Sequence, residues 1–406
     1  MNLEHVVVIG ASLAGLRACE TLRTDGFTGR ITLIGAEQHL PYDRPPLSKK
    51  LLAGDWEPDR ITLRQPDDVG ALGLDLRLGV PASALDIDGR AVELADGTVV
   101  PFDGLVLATG SVPRRLPGQQ ALVNVHELRT LDDSLALRAK ISDGTAKLVV
   151  IGAGFIGLEV AATSRARGCA VTVLEGLAAP LIRGLGAEMG AAATAVHAGE
   201  GIDIRCDVTV AELRADGVEL GDGTLVPADV VVVGIGVAPA TGWLLDSGLE
   251  LRDGVVCDAT LAAGPPLVYA AGDIARWPNE LYGEEMRVEH WTNAAEQGAA
   301  AARNLLVAAG GGQPIPYAPV PFFWSDQARH RIQFLGRAAI AGDDDTVEVA
   351  VGEPGEHRFV ALYGRRGRLW GVLGVNCPRL VMPYRNLLAD AVSWDEARAF
   401  AAAQQS

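Results

Sequence analysis

Residues 147–164 read KLVVIGAGFIGLEVAATS, and the order of residue types in that stretch decides the fold. An apolar, β-branched run ending at Ile151 meets the turn Gly152-Ala153-Gly154-Phe155-Ile156-Gly157, and a helical pattern follows. In a GxGxxG turn of this kind the first glycine permits the tight bend and the second lets backbone N–H groups approach a pyrophosphate. The third lets helix and strand pack closely. The helix then turns its positive dipole end toward the phosphates. A second β-rich run, VTVLE at 171–175, ends in an acid some twenty residues on. Strand, turn, helix and terminal acid together predict a βαβ dinucleotide-binding unit. Glu175 can accept hydrogen bonds from both ribose hydroxyls and would repel a 2′-phosphate, which favours NAD over NADP; Arg183 is the nearby cation that works against that preference.

The same order occurs earlier, at 4–22 (EHVVVIGASLAGLRACETL), followed by ITLIGAE at 31–37. Here Gly10 and Gly15 hold the outer fingerprint positions and Ser12 replaces the middle glycine. Serine is small enough for a phosphate approach provided its φ angle is acceptable. A hydrolase elbow would need GxSxG, but Ala14 stands at the last position and no Asp or His partner is indicated. Glu37 would hold the ribose of this nucleotide. The repeat extends further: 91–110 (AVELADGTVVPFDGLVLATG) and 217–236 (GVELGDGTLVPADVVVVGIG) share an Asp-Gly-Thr hairpin turn, a Val-Pro step and a buried strand ending in glycine, Gly110 or Gly236. A whole domain is repeated. From Phe322 onward, strands are expected at 331–335, 347–351, 359–363 and 369–375, with a helical tail over 390–403. The expected architecture is α/β, with two Rossmann-like dinucleotide-binding domains and a C-terminal α+β domain. The segments are 1–110, 111–239, 240–321 and 322–406, the first and third forming one domain.

The 406 residues suffice for two or three domains. A net charge of −16 disfavours nucleic acid or an anionic membrane as the main partner. The five cysteines are far apart, with no CxxC or CxxxxC pair, and read as reduced cytosolic thiols. A strand-like run starts almost at Met1, so no signal peptide is expected and the protein is placed in the cytoplasm. The longest uncharged stretch, 304–325, holds three glycines and four prolines and cannot form a continuous membrane helix. The seven histidines are scattered without a metal-binding spacing, so no metal site is expected.

Ala108-Thr109-Gly110 and, far downstream, Tyr269-Ala270-Ala271-Gly272-Asp273 resemble the paired signatures of the FAD/NAD disulfide-reductase-like superfamily. That resemblance implies that the first domain binds FAD and that the second, inserted within it, binds NADH. It also implies that Asp273 holds the ribitol chain. Four further stretches narrow it: PYDRPPLSK (41–49), VEHW (288–291), AEQG (295–298) and PFFWSDQ (321–327) look like the bacterial NADH-dependent ferredoxin reductases of oxygenase systems. Disulfide reductases of the same fold carry CxxxxC where this chain has Pro-Pro-Leu-Ser-Lys. The resemblance implies that Arg44 and Lys49 lie on the flavin, that Lys49 pairs with Glu159 beside the reacting N5, and that Trp291 and Trp324 are the aromatics near it. A fixed cation there stabilises negative charge developing on reduction. From position alone, Lys49 reads as a surface residue and Glu159 as a solvated helix residue.

The activity so implied is transfer of a hydride from NADH to FAD, then of single electrons to a 2Fe-2S ferredoxin serving a cytochrome P450 or Rieske oxygenase. Between His357 and Ala389 stand Arg358, Arg365, Arg366, Arg368, Arg379 and Arg385 with no Asp or Glu, and a shorter run holds Arg329, Arg331 and Arg337. Such positive potential suits an acidic ferredoxin docking on the third domain; the plainer reading is solvated or internally paired arginines. An NADH oxidase or small-acceptor reductase is a second reading. A redox-gated binding protein resembling apoptosis-inducing factor is a third, although the short loops argue against that protein's basic insertion. Monomer and dimer both stay open.

Overall fold

Four-residue apolar runs such as Val6–Ile9 and Leu148–Ile151 have no polar face, so they can be satisfied only as inner strands covered on both sides. In the computed structural model, which describes residues 3–338, 342 and 344–404, every residue of both runs is buried. The chain divides into two compact units, one made of residues 1–43, 59–112 and 238–321, the other of 44–58, 113–237 and 322–406.

The first unit is built on an all-parallel five-stranded sheet. Its central strand His5–Ile9 lies between Arg30–Gly35 and Gly104–Leu107, with Leu74–Leu78 and Val268–Ala270 at the edges. The last strand comes from beyond the whole second fingerprint. Helix Leu13–Thr24 packs against helix Trp291–Ala309, and the contact is close because residue 298 is glycine: a Cβ there would stand 2.2 Å from the Ala14 carbonyl oxygen. Gln297 from the same motif accepts a hydrogen bond from Gly272 N (2.7 Å), tying the helix to the Gly-Asp turn.

The second unit repeats the plan. Lys147–Ile151 is central, flanked by Ala170–Leu174 and Val230–Val233, with Asp203–Arg205 and Val125–His126 at the edges, all parallel. Each unit carries a small antiparallel sheet where the Asp-Gly-Thr repeat predicted hairpins, Ala82–Asp86/Ala91–Leu94/Val99–Pro101 in the first and Val210–Arg214/Gly217–Leu220/Leu225–Pro227 in the second.

The C-terminal segment of the second unit is a five-stranded antiparallel sheet of Phe322–Gln327, His330–Gly336, Arg368–Val375, Arg358–Arg365 and Asp345–Glu353, in that order. The expected strands are all present, and Phe322–Gln327 is one more. The helical tail is shorter than expected. Helix Tyr384–Ala389 ends before Ala391, whose φ is +54°, and the last helix, Trp394–Ala403, starts at a capping box of Ser393 and Glu396. Residues 390–393 leave the helix because Leu369 N donates to Val392 O and Trp394 N donates to Gly367 O, with Ser393 bridged antiparallel to Arg368 at the start of the sheet's middle strand.

Candidate functional site

The two fingerprint turns have the same internal geometry, and backbone sterics explain it. A Cβ on Gly10 would stand 2.0 Å from Ala108 O, and one on Gly152 would stand 2.4 Å from Gly234 O, so each first glycine lies against the end of the neighbouring strand at positive φ. A Cβ on Gly15 would meet Gly10 O at 1.9 Å, and one on Gly157 would meet Gly152 O at 2.2 Å. The middle positions differ in kind. Ser12 has φ −121° and Gly154 has φ −79°, both ordinary for an L-residue, so the serine carries no backbone strain. A Cβ on Gly154 would meet nothing within 4 Å, leaving open space in front of the turn. The first N–H groups of helices Leu13–Thr24 and Phe155–Ala166 have no partner within their own helix, and neither first turn holds an acid. Both turns fit a pyrophosphate.

In the first unit, Glu37 follows the second strand and accepts from the Tyr42 hydroxyl (2.5 Å). Ala108 N continues the ladder to Ile9 O (2.7 Å), Thr109 Oγ1 donates to Ala240 O (3.1 Å) and Gly110 turns at φ +70°. Asp273 Oδ2 accepts from Ser111 Oγ (2.7 Å), while Arg287 Nη1 donates to the Asp273 carbonyl (3.0 Å). Asp273 is thus held through both side chain and backbone, beside the ATG strand end. Gly272 opens that turn at φ +78°. Trp291 begins its helix and donates from Nε1 to Asp43 Oδ1 (2.5 Å), joining the VEHW and PYDRPP motifs.

In the second unit, Glu175 accepts from Ala153 N (2.7 Å) and Leu177 N (2.9 Å), so its carboxylate also braces the fingerprint turn. Leu181 N donates to Ala153 O (3.1 Å), which brings exposed Arg183 to the same neighbourhood. Gly236 lies past the strand Val230–Val233 at φ +97°, with open space where its Cβ would be. Glu175→Ala is expected to raise the KM for NADH and lower the NADH/NADPH preference. Comparing kcat/KM for the two nucleotides checks this, and an unchanged ratio would show that Glu175 only braces the turn.

Arg44 and Lys49 bracket the short turn Pro45–Ser48. Arg44 Nη1 donates to Arg129 O (2.5 Å). Lys49 Nζ lies 2.6 Å from Glu159 Oε2, with side chains 17% and 2% exposed. The plain expectation of a solvated Glu159 is therefore wrong: strand Phe322–Gln327 packs on the fingerprint helix and covers it, with Phe155 edge-on to Phe323 at 4.7 Å. Two residues quoted only as motif members, Ser48 and Ser325, each donate to Glu159 at 2.6 Å. Buried Ser325 and Gln327 are two apart on one strand face; His197, which the scattered-histidine reading passed over, meets Gln327. Trp324 alternates to the other face and stacks on Phe322 at 6.1 Å.

The expected docking arginines divide. Arg365 grips Asp345, which is 6% exposed, at 2.7 and 2.8 Å, and lies over the Trp370 ring. Arg331 is paired with Asp326, and Arg329 lies 3.4 Å from Glu200. Arg366, at the hairpin tip, and Arg379 are exposed, with no ion pair to any described residue. All five cysteines are free, so no disulfide lies beside the Lys49 turn. No helix among the described residues is long and apolar enough to cross a membrane.

Residues 4–298 match the family described as pyridine nucleotide-disulphide oxidoreductase, and residues 322–405 match a reductase C-terminal family. Rhodocoxin reductase of Rhodococcus erythropolis is 37% identical over 390 residues, covering 95% of this chain and 89% of that protein. The ferredoxin–NAD(+) reductase component of the anthranilate 1,2-dioxygenase system of Burkholderia cepacia is 37% identical over 398 residues, covering 96% and 95%. The solved covalent complex of putidaredoxin reductase with putidaredoxin is similar at TM-score 0.89 and 33% identity, covering 96% of this chain and 94% of the reductase chain. The chain belongs to the pyridine nucleotide-disulphide oxidoreductase family, in the branch of bacterial ferredoxin reductases that carries a reductase C-terminal domain.

Proposed function

We propose that the protein is an NADH-dependent, FAD-containing ferredoxin reductase that supplies electrons to a 2Fe-2S ferredoxin of a cytochrome P450 or Rieske oxygenase system. The observation that carries this reading is the pair of partly exposed Lys49 with buried Glu159 in a chain with two dinucleotide turns and no dithiol. When bound, FAD takes a hydride from NADH and gives up electrons singly, chemistry that the cofactors supply.

The chain's own residues bind and orient. Gly10, Ser12 and Gly15 receive the FAD pyrophosphate, Glu37 the adenosine ribose, and Ala108, Thr109, Gly110, Gly272 and Asp273 the remainder of the chain toward the flavin. Trp291 and Trp324 border the ring. Gly152, Gly154 and Gly157 receive the NADH pyrophosphate, Glu175 and Arg183 border its ribose, and Gly236 leaves room for the nucleotide. Lys49, held by Glu159, presents a fixed positive charge where the flavin gains negative charge, and Arg44 flanks it.

NADH-driven cytochrome c reduction by the purified protein, with and without an added 2Fe-2S ferredoxin and repeated with NADPH, tests the proposal. Strong stimulation by ferredoxin with NADH is expected. Flavin reduction without stimulation by any of several ferredoxins would shift the reading to an oxidase or a redox-gated binding protein.

Within this reading, an acidic ferredoxin docks on the exposed cations Arg366 and Arg379 of the C-terminal sheet domain. Charge reversal at these two is expected to raise the ferredoxin KM several-fold and flatten its salt dependence, with ferricyanide reduction unchanged. Arg365→Glu is expected instead to lower thermal stability, because it sets a second carboxylate against buried Asp345. Normal ferredoxin kinetics in the Arg366/Arg379 variant would remove those residues from the docking face.

A further inference from the structure

The Glu159 carboxylate is approached from two sides. Lys49 Nζ and Ser48 Oγ each lie 2.6 Å from Oε2, and Lys49 Nζ is also 3.2 Å from Pro45 O. On the other side Ser325 Oγ lies 2.6 Å from Oε1, and the contacts continue inward. Gln327 Nε2 is 3.2 Å from Ser325 Oγ, and Gln327 Oε1 is 2.7 Å from His197 Nε2. Ser325, Gln327 and His197 are all 0% exposed.

The chemistry of the groups fixes the direction of this chain. A carboxamide oxygen only accepts, so His197 carries its proton on Nε2 and donates to Gln327. The amide N–H of Gln327 donates to the Ser325 oxygen, and the serine hydroxyl donates to the carboxylate. Three successive hydrogen bonds thus run one way and end on the buried Glu159 carboxylate, an arrangement in which each bond polarises the next. His197 Nδ1 has no hydrogen-bond partner among the described residues, and burial pushes the ring's pKa down against the opposing pull of Gln327 and Glu200, in keeping with a neutral ring.

We propose that His197 and Gln327 are positioning residues: acting through Ser325, they hold Glu159 Oε1 on the C-terminal sheet so that Oε2 is delivered to Lys49 and fixes where its ammonium stands. The inference rests on the reading above that Lys49 faces the flavin. Among the described residues, neither side chain makes a hydrogen bond to the fingerprint turn or to the Lys49 turn. Their effect on the flavin is therefore indirect.

The test uses the full-length, FAD-loaded protein. The flavin midpoint potential is measured for the unsubstituted protein, Lys49→Met, His197→Leu, Gln327→Met and His197→Gln, and the ring nitrogens of His197 are observed by 15N NMR in the unsubstituted protein. Lys49→Met is expected to shift the midpoint. His197→Leu and Gln327→Met are expected to shift it in the same direction by less, and His197→Gln, which keeps an N–H at the position of Nε2, to restore it. The ring is expected to be neutral with its proton on Nε2. If Lys49→Met shifts the midpoint while His197→Leu and Gln327→Met, with full FAD, leave it in place, the positioning role is overturned and the Lys49 reading stands. If Lys49→Met itself has no effect, the Lys49 reading falls and takes the inference with it. A proton on Nδ1, or a doubly protonated ring, reverses the chain and overturns the inference even if a substituted protein fails to fold.

Discussion

Gly154→Glu is expected to abolish reduction by NADH while leaving the FAD content unchanged. The backbone at Gly154, φ −79° and ψ 176°, accepts any L-residue, and its Cβ would meet nothing within 4 Å, so the substitution does not disturb the fold. It places a carboxylate in front of the N–H groups that begin helix Phe155–Ala166, where the proposed assignment puts the nucleotide's pyrophosphate. Two like charges in one small site should cost roughly 4 kcal/mol or more, about 10³-fold in kcat/KM for NADH. Flavin content by absorbance and the NADH reduction rate by stopped flow separate the outcomes. Loss of FAD from the variant would instead mean that the nucleotides are assigned to the wrong domains.

Lys49→Met is expected to lower both stability and the rate of flavin reduction, and the two losses can be separated. Glu159 is 2% exposed, so removing its cation leaves a buried carboxylate with only serine hydroxyls as donors, a loss of about 3 kcal/mol by comparison with broken buried ion pairs. Adding Glu159→Gln removes the unpaired charge, and the double variant should recover most of that stability. It should not recover the reduction rate, because the fixed cation is still missing; a deficit of about 10²-fold is expected, the scale of losing one electrostatic contact to a developing charge. Thermal unfolding and stopped-flow reduction of the single and double variants check this. Recovery of both quantities together would reduce Lys49 to a structural partner of Glu159.

Much of the nucleotide-binding framework was legible because its constraints are local. Gly10, Gly15, Gly152 and Gly157 are required by backbone atoms within a few residues or on the adjoining strand, so their spacing carries the turn with it. The repeated Asp-Gly-Thr hairpins are local in the same way. Ser12 was ambiguous from sequence because the question concerned its φ angle, which the structure answers with an extended backbone. Residues 390–393, expected to be helical, are not, because a composition rich in helix formers does not reveal the backbone bond from Leu369.

By itself the sequence determined the two βαβ units, their order along the chain, the C-terminal sheet domain and, through motifs spread from residue 41 to residue 327, the family. Only the tertiary structure decided which charged side chains are buried and what they touch. Helical periodicity assigns Glu159 to a face, but whether that face meets water depends on Ser325, 166 residues later. The link from Gln327 to His197 spans 130 residues, and Arg365 leaves the expected docking set because the sheet places Asp345 opposite it. Backbone conformation is set largely by neighbours in the chain. The partner of a buried charge is set by which distant segments the fold brings within hydrogen-bond distance, and no local pattern encodes that.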